Sequence, residues 1–321
     1  MRDYVRPMTH QRVRTVSEQI ENRDIRGTAT IARETAQAIE VAADDAEAET
    51  PAEFRETIRV AARTLHEARP DDDSLSNALR YLFKRMDGET VATLQESVTS
   101  AARRFQENID RARETLGQIG ARRLQDGDTV MVHSHSADAL ATIEHALEAG
   151  KEIDAIVKET RPRKQGHIAA QQLQEWGVPT TLIVDSAARR YLDETDQVVV
   201  GADSIAADGS VVNRIGTSDL AVIARERGVP VTVAAQTVRL HPDSLTGHSA
   251  GIENRPEREV LDDATRKQIG EVSVENPAFD VTPARYVDAI VTERGQYPPE
   301  SVVTLMRELY GGSARDPWLE E

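Results

Sequence analysis

The sequence contains no cysteine among its 321 residues. This absence excludes disulfide bonds, thiolate metal sites and a cysteine nucleophile. Aromatic residues are also scarce, at 4%, and no apolar run approaches the roughly 20 residues that a membrane-spanning helix requires. The N-terminus lacks the apolar core of a secretory signal. We therefore expect a soluble, cytoplasmic protein that is long enough to form two domains.

Lysine is the second scarce residue type, because only 5 of the 39 basic residues are lysine and the rest are arginine. Acidic residues are in excess, and the net charge is -16. This composition is typical of cytoplasmic proteins from halophiles, which stay soluble in concentrated salt through charged carboxylates. The same charge argues against a general nucleic-acid binder, because that class normally carries a basic face.

Two regions of different periodicity divide the chain, and we predict domains at residues 1–125 and 126–321. The first region carries apolar and small residues at helical spacing and shows no strand alternation. After Gly127, short β-branched runs alternate with helical segments, which predicts right-handed βαβ units and a parallel sheet. The predicted fold class is α/β, with an N-terminal helical domain followed by a Rossmann-like parallel sheet domain. The predicted strands are 129–132, 153–157, 180–184, 197–202, 231–235 and 288–292, and residues 242–283 are predicted to be irregular.

Polar side chains directly follow five of the predicted strands. Because the carboxyl ends of parallel strands meet at one edge of a sheet, where open α/β sheets bind their ligands, we expect these side chains to converge. The groups are His133–Ser136, Glu159–Pro162, Asp185–Ser186, Asp203 and Gln236–Thr237.

The stretch QVVVGADSIAADGSVVNRIGT, from Gln197 to Thr217, is central to this interpretation. Its β-branched run predicts a strand that is buried on both faces, with the Asp203 carboxylate at the strand's carboxyl end. A second interpretation makes Asp203 a helix cap or a turn residue. The first βα turn, HSHSADA, offers hydroxyl and backbone N–H groups to an anion at a helix N-terminus. Neither a P-loop nor a GxGxxG fingerprint is present, so a bound NAD is not expected.

His133 and His135 flank Ser134 and allow two chemical interpretations. In a strand the two imidazoles would share one face, which suggests a metal pair, but the sequence shows no third ligand. A serine–histidine nucleophilic pair is the alternative, although the GxSxG motif is missing.

Four arginines lie beside turns or element ends. Each alone is expected to be a solvated charge, but together they would clamp two phosphates because guanidinium forks match phosphate oxygens. They are Arg26, Arg69, Arg214 and Arg239.

Five motifs resemble one known family. They are ETRPRKQGHIAAQQL, VDSAARRYL, GADSIAADGSVVNRIGT, NPAFDVTP and YVDAIVTERG. Over residues 20–312 the chain resembles the archaeal ribose-1,5-bisphosphate isomerases, which are related to methylthioribose-1-phosphate isomerase and to the regulatory subunits of translation initiation factor 2B. The resemblance implies conversion of ribose 1,5-bisphosphate to ribulose 1,5-bisphosphate in nucleotide (AMP) salvage, without a metal or redox cofactor. It also implies a homo-oligomer, either a dimer or a trimer of dimers, and a nucleotide activator is a further candidate partner.

The resemblance also implies the roles of individual residues. Asp203 is the implied proton donor, and Ser134 stands where the family has a catalytic cysteine that accepts a proton. The implied substrate-binding residues are Arg26, Gly27, Thr28, Ala29, Arg69, Ser136, Ala137, Asp138, Asn213, Arg214 and Arg239.

Ser134 is the serious departure from the family pattern. A serine hydroxyl is far less acidic than a thiol, whose reference pKa is about 8.5. It would need an adjacent base, for which His133 and His135 are the candidates. The missing thiol favours a second hypothesis, a non-catalytic binding subunit of the initiation factor 2B type, whereas Asp203 and the arginines favour the isomerase.

Overall fold

The structure is a computed structural model that describes residues 9–22, 24–25, 27–70, 72–242, 244, 254–311 and 316–319. The chain forms two compact units. A helical unit comprises Met1–Arg111, Val238–Thr246 and Leu305–Glu321, and a sheet unit comprises Ala112–Thr237 and Gly247–Thr304.

The helical unit is built from amphipathic helices whose starts follow ordinary capping chemistry. Thr50 accepts a hydrogen bond from the backbone N–H of Glu53, and Pro51 occupies the first turn of its helix. Asp72 likewise accepts from Ser74 and Leu75 at the start of the next helix. The helices are α1 (Gln11–Glu21), α2 (Thr28–Asp44), α3 (Pro51–Ala68), α4 (Asp73–Phe83) and α5 (Val91–Ala121), the last of which continues into the sheet unit.

The sheet unit alternates short strands with helices, as β-branched runs separated by amphipathic segments predict. The strands of the described residues are β1 (Thr129–His133), β2 (Asp154–Lys158), β3 (Thr180–Ile183), β4 (Gln197–Val200), β5 (Ser204–Ala206), β6 (Val211–Arg214), β7 (Val231–Ala234), β8 (Leu240–His241), β9 (Phe279–Thr282), β10 (Ala289–Thr292) and β11 (Gly295–Tyr297). The remaining helices are α6 (Ala137–Glu148), α7 (Gly166–Glu175), α8 (Ala188–Tyr191), α9 (Thr217–Arg227), α10 (Asp263–Ile269) and α11 (Val302–Tyr310).

A seven-stranded sheet has the order β11-β10-β7-β4-β1-β2-β3 and is parallel except for β11. The chain winds outward from β1 through β2 to β3, and on the other side from β4 through β7 to β10. The order therefore reverses between β1 and β4, which makes a topological switch point there. The predicted α/β fold class with a Rossmann-like parallel sheet is confirmed.

A second, antiparallel sheet was not predicted from the sequence. In it, β6 pairs with both β5 and β9. No strand was predicted between residues 202 and 231, whereas Asn213 and Arg214 lie in β6. The prediction that residues 242–283 are irregular was wrong for α10 and β9, while residues 243 and 245–253 lie outside the described residues. None of the helices in the described part of the chain has the length and apolarity needed to cross a bilayer.

Candidate functional site

The switch point brings together two loops that the sequence analysis singled out. His133-Ser134 ends β1 and enters the following loop, and Gly201-Ala202-Asp203 follows the neighbouring strand β4. The two loops touch closely: a Cβ atom on Gly201 would lie 2.2 Å from the Ser136 hydroxyl oxygen. Only glycine at this position leaves room for Ser136, which in turn accepts the Ala139 N–H at 3.2 Å and so caps α6.

Ser134 is held in a strained backbone conformation and is only 4% exposed. Its φ of 66° lies in the left-handed region, which non-glycine residues seldom occupy. Its N–H donates to the Thr160 hydroxyl at 2.8 Å, and its own hydroxyl donates to the Gln165 side-chain oxygen at 3.2 Å. An amide oxygen accepts a hydrogen bond but is not a base near neutral pH, so the Ser134 hydroxyl is neutral in this arrangement.

His133 is buried and neutral. Its Nε2 lies 2.9 Å from the Ile215 carbonyl oxygen, and because a carbonyl only accepts, Nε2 carries the proton. Nδ1 is then an acceptor and lies 3.3 Å from the Thr160 hydroxyl. Burial, together with the nearby Lys158 ammonium, lowers the pKa of His133 to about 4.

His135 has a different environment. It follows the strained Ser134 and is not in the strand, so the two imidazoles do not share a strand face. Its Nε2 lies 3.1 Å from the Gln172 side-chain oxygen. In the described ranges of the chain, no three side chains of metal-binding type come together as a candidate metal site.

Asp203 faces an arginine. The Arg214 Nε lies 3.5 Å from Asp203 Oδ2, and about a quarter of each side chain is exposed. The Arg214 guanidinium also covers the Phe279 ring, 4.7 Å from the ring centroid. This places a carboxyl group and a guanidinium side by side just beyond the switch point.

The other predicted ligands of the sheet unit lie around the starts of α6 and α9. Asp138 is buried in the first turn of α6 and accepts from the Gln236 side-chain amide at 2.8 Å. Ala137 begins that helix, whose N-terminal N–H groups and dipole favour an anion. Asn213 is buried, and its side-chain amide donates to the Thr217 hydroxyl at 3.1 Å at the start of α9.

The remaining predicted residues belong to the helical unit. Arg26 lies outside the described residues. Gly27 has a φ of 88° at the N-cap of α2, and Thr28 and Ala29 form the first turn of that helix. Arg69 lies 3.4 Å from the Asp72 carboxylate and is almost half exposed.

Arg239 is positioned by a residue that the sequence analysis missed. The buried Asn77 donates from its side-chain amide to the carbonyl oxygens of Val238 at 3.0 Å and Leu240 at 2.6 Å, the two neighbours of Arg239. Asn77 lies in a helix, and its partners are more than 160 positions away. No local sequence signal connects these residues.

The predicted convergence of polar strand ends is observed. Thr160 accepts from Ser134, and the Thr160 N–H donates to the Asp185 carboxylate at 2.9 Å. This chain of contacts joins the loops after β1, β2 and β3. Gln165, which accepts from the Ser134 hydroxyl, was not singled out from the sequence, although it lies within the ETRPRKQG motif.

Comparison with known proteins shows the family of the chain. The Initiation factor 2 subunit family model matches residues 24–299. The chain is 61% identical over 312 residues to a ribose 1,5-bisphosphate isomerase from Haloterrigena turkmenica, covering 95% of both chains. It is 58% identical over 311 residues to the enzyme of that name from Haloferax volcanii, covering 97% of this chain and 96% of the other. Both sources agree with the halophilic composition.

Among solved structures, the fold is similar to the Pyrococcus horikoshii OT3 translation initiation factor eIF-2B. The TM-score is 0.70 at 28% identity, and the match covers 92% of this chain and 99% of the other. The long matches over nearly the whole chain are decisive. The chain belongs to the initiation factor 2 subunit family, in the branch whose members are named ribose 1,5-bisphosphate isomerase.

Proposed function

We propose that the protein is an isomerase that converts ribose 1,5-bisphosphate to ribulose 1,5-bisphosphate. A relative that carries this name is 61% identical to the chain over almost its full length. The observation that carries the proposal is the placement of Ser134 and Asp203 after β1 and β4, the two strands that border the switch point. Ligands of open α/β sheets bind at this position.

The reaction needs one group to open the ribose ring and one to move a proton from C2 to C1. We assign the first role to Asp203, with Arg214 beside it. A proton donor at the ring oxygen and a proton acceptor at C2 are each expected to increase the reaction rate by about 10²–10⁴-fold, which is typical of general acid–base catalysis. The proton taken from C2 is delivered to C1, and the C2 hydroxyl, which becomes the ketone, returns a proton to Asp203, so the reaction consumes no other reactant.

Ser134 is the proposed residue on the proton-accepting side. Because its hydroxyl is neutral and donates to Gln165, it requires a base when substrate is bound. His133 and His135 stay as the alternative bases. The Nδ1 atom of His133 is unprotonated and lies beside the Thr160 hydroxyl, which accepts the backbone N–H of Ser134. Thr160 would therefore have to move on substrate binding before His133 could accept a proton from the Ser134 hydroxyl.

Substrate phosphates are the proposed ligands of the helix N-terminus and the arginines. The first turn of α6, formed by Ser136, Ala137 and Asp138, supplies backbone N–H groups. Asn213 and Arg214 are proposed to act with it. The resemblance adds phosphate-binding roles for Arg26, Gly27, Thr28, Ala29, Arg69 and Arg239.

The deciding experiment is turnover of ribose 1,5-bisphosphate in molar KCl, followed by phosphorus NMR. We expect ribulose 1,5-bisphosphate to accumulate. Substrate binding without turnover would contradict the isomerase and favour a sugar-phosphate sensor.

The second candidate is a non-catalytic subunit of the initiation factor 2B type. It is favoured by the serine in place of the family's cysteine and by the neutral hydrogen bond from that serine to Gln165. Absence of both binding and turnover of the sugar bisphosphate would support it, and would direct the search to a protein partner.

We also propose that the protein is a homo-oligomer, a dimer or a trimer of dimers, on the basis of the family resemblance. Light scattering in molar KCl tests this directly. A monomer at micromolar concentration would contradict it.

A further inference from the structure

Two basic side chains are buried side by side at the carboxyl ends of β1 and β2. His133 is 1% exposed and Lys158 is 3% exposed. They are register partners in adjacent parallel strands, so their side chains project from the same face of the sheet. Of the five lysines in the chain, Lys158 is the one that is buried. In a sequence that uses arginine for most of its positive charges, a buried lysine at this edge calls for an explanation.

The two bases bind consecutive backbone carbonyls. His133 donates to Ile215 at 2.9 Å, and Lys158 donates to Gly216 at 3.1 Å. Gly216 has a φ of 94°, and a Cβ atom there would lie 3.3 Å from the His133 ring and 3.5 Å from the Lys158 amino group. The bases are therefore packed directly against the Ile215-Gly216 turn.

The same turn is held from its other side by a carboxylate. Asp280 in β9 accepts the N–H groups of Gly216 at 2.6 Å and Ser218 at 3.1 Å. The bases thus satisfy the carbonyls, and Asp280 satisfies the amides. The turn connects Arg214, at the end of β6, to the first residue of α9.

We propose that Lys158, together with His133, is a positioning clamp that sets Arg214 relative to Ser134. His133 immediately precedes Ser134, and its acceptor Ile215 immediately follows Arg214. The clamp therefore connects the loop after β1, which holds Ser134, to the turn after β6, which follows Arg214. In this role Lys158 contacts neither the substrate nor the reacting atoms. The role assigned to Arg214 rests on the proposed function.

Lysine suits this position better than arginine does. Its ammonium is compact and carries three donors, whereas a guanidinium is planar, larger and permanently charged. Burial lowers the pKa of Lys158, while the surrounding carboxylates of Asp185, Asp219 and Asp280 act in the opposite direction. An amine keeps its donor to Gly216 in either protonation state.

The first test compares Lys158→Met with Lys151→Met by hydrogen–deuterium exchange. Lys151 is a matched control, because its amino group also donates to backbone carbonyls, those of Ala121 at 2.8 Å and Leu124, at the opposite edge of the sheet. Loss of the hydrogen bond from Lys158 to the Gly216 carbonyl should loosen the turn, so we expect exchange of residues 211–218 to rise roughly tenfold or more in Lys158→Met. Lys151→Met should leave that segment unchanged. Unchanged exchange in Lys158→Met would overturn the clamp.

The second test is a double-mutant cycle with Arg214→Gln. If the clamp acts through Arg214, Lys158→Met should raise the KM for ribose 1,5-bisphosphate about tenfold, with a smaller fall in kcat, in the natural background. In the Arg214→Gln background it should add less than about twofold, because coupled residues are non-additive. Additive effects would refute action through Arg214.

A third variant keeps the clamp testable if Lys158→Met does not fold. Gly216→Ala leaves both bases in place but forces a methyl group against them, and it should accelerate exchange of the same segment. If the natural protein does not turn over ribose 1,5-bisphosphate, the proposed function fails, and the exchange experiments alone decide whether the clamp exists.

Discussion

The two edges of the parallel sheet differ in how exposed their polar groups are. At the amino edge, exposed aspartates accept backbone N–H groups where strands begin: Asp196 accepts from Thr129, and Asp288 from Val231, each at 2.8 Å. At the carboxyl edge several polar groups are buried, among them His133, Ser134 and Lys158, and His133 has a pKa lowered to about 4. Buried bases with shifted pKa values are typical of functional sites, which supports the site proposed at the carboxyl edge and leads us to expect a role in stability for the solvated carboxylates of the amino edge.

The largest expected effect is at Asp203, on the carboxyl edge. Asp203→Asn removes the proposed proton donor but keeps the size of the side chain, so kcat should fall on the order of 10³-fold. The increase in melting temperature caused by ribose 1,5-bisphosphate should largely remain. Phosphorus NMR and a thermal shift assay measure the two quantities, and full activity in this variant would remove Asp203 from the mechanism.

The second prediction concerns pH and His133. Because burial lowers the pKa of His133 from 6.5 to about 4, the unfolded chain binds this proton first as the pH falls. The free energy of unfolding should therefore drop by about 3 kcal/mol between pH 6.5 and pH 4, and be fully retained above pH 6.5. Urea unfolding at several pH values measures this slope.

His133→Gln is the control for that slope. The variant should be less stable at neutral pH, but its stability should depend less on pH between 6.5 and 4 than that of the natural protein. Parallel curves for the two proteins would show that His133 does not titrate in this way.

At the amino edge, a substitution should lower stability and leave turnover unchanged. Asp196→Ala removes the acceptor of the Thr129 N–H. Because this hydrogen bond is exposed, water can take the place of the carboxylate, and the free energy of unfolding should fall by only about 1 kcal/mol. Turnover at saturating substrate should not change, as measured by phosphorus NMR beside urea unfolding. A large loss of kcat would show that the contrast between the edges is not a division between stability and function.

The smallest effect is expected for Ser134→Cys. The thiol restores the group that the family resemblance implies at this position and has a reference pKa of about 8.5, closer to neutrality than that of a hydroxyl. The initial rate of ribose 1,5-bisphosphate turnover should be equal to or higher than that of the natural protein when the two are compared at pH 7 and pH 8. A strong decrease would mean that Ser134 does not occupy the place of the thiol.

Local pattern was sufficient to predict the parallel sheet, because a strand such as Val198–Val200 is a continuous β-branched run between polar segments. It was insufficient for β5 and β6, which are three and four residues long and lie on either side of the Asp208-Gly209 turn. Short strands of this kind are defined by their partners, which a single sequence does not reveal.

The site was predictable as a set of strand ends but not as a set of contacts. The convergence of Ser134, Asp185 and Asp203 at one edge follows from parallel topology. The acceptor for the Ser134 hydroxyl does not, because Gln165 lies 31 positions away. Lys158 was missed for a different reason, since a lysine at the end of an apolar run resembles the solvated boundary of a strand.

The contact between Gly201 and Ser136 has a consequence for how this site can change over time. A methyl group at position 201 would overlap the Ser136 side chain at 2.2–2.7 Å. We therefore expect the two positions to be substituted together: a descendant that gains a side chain at 201 must first shorten residue 136. Because Ser136 also caps α6, that order of events passes through an intermediate with a weakened helix start, where we propose that substrate phosphate binds.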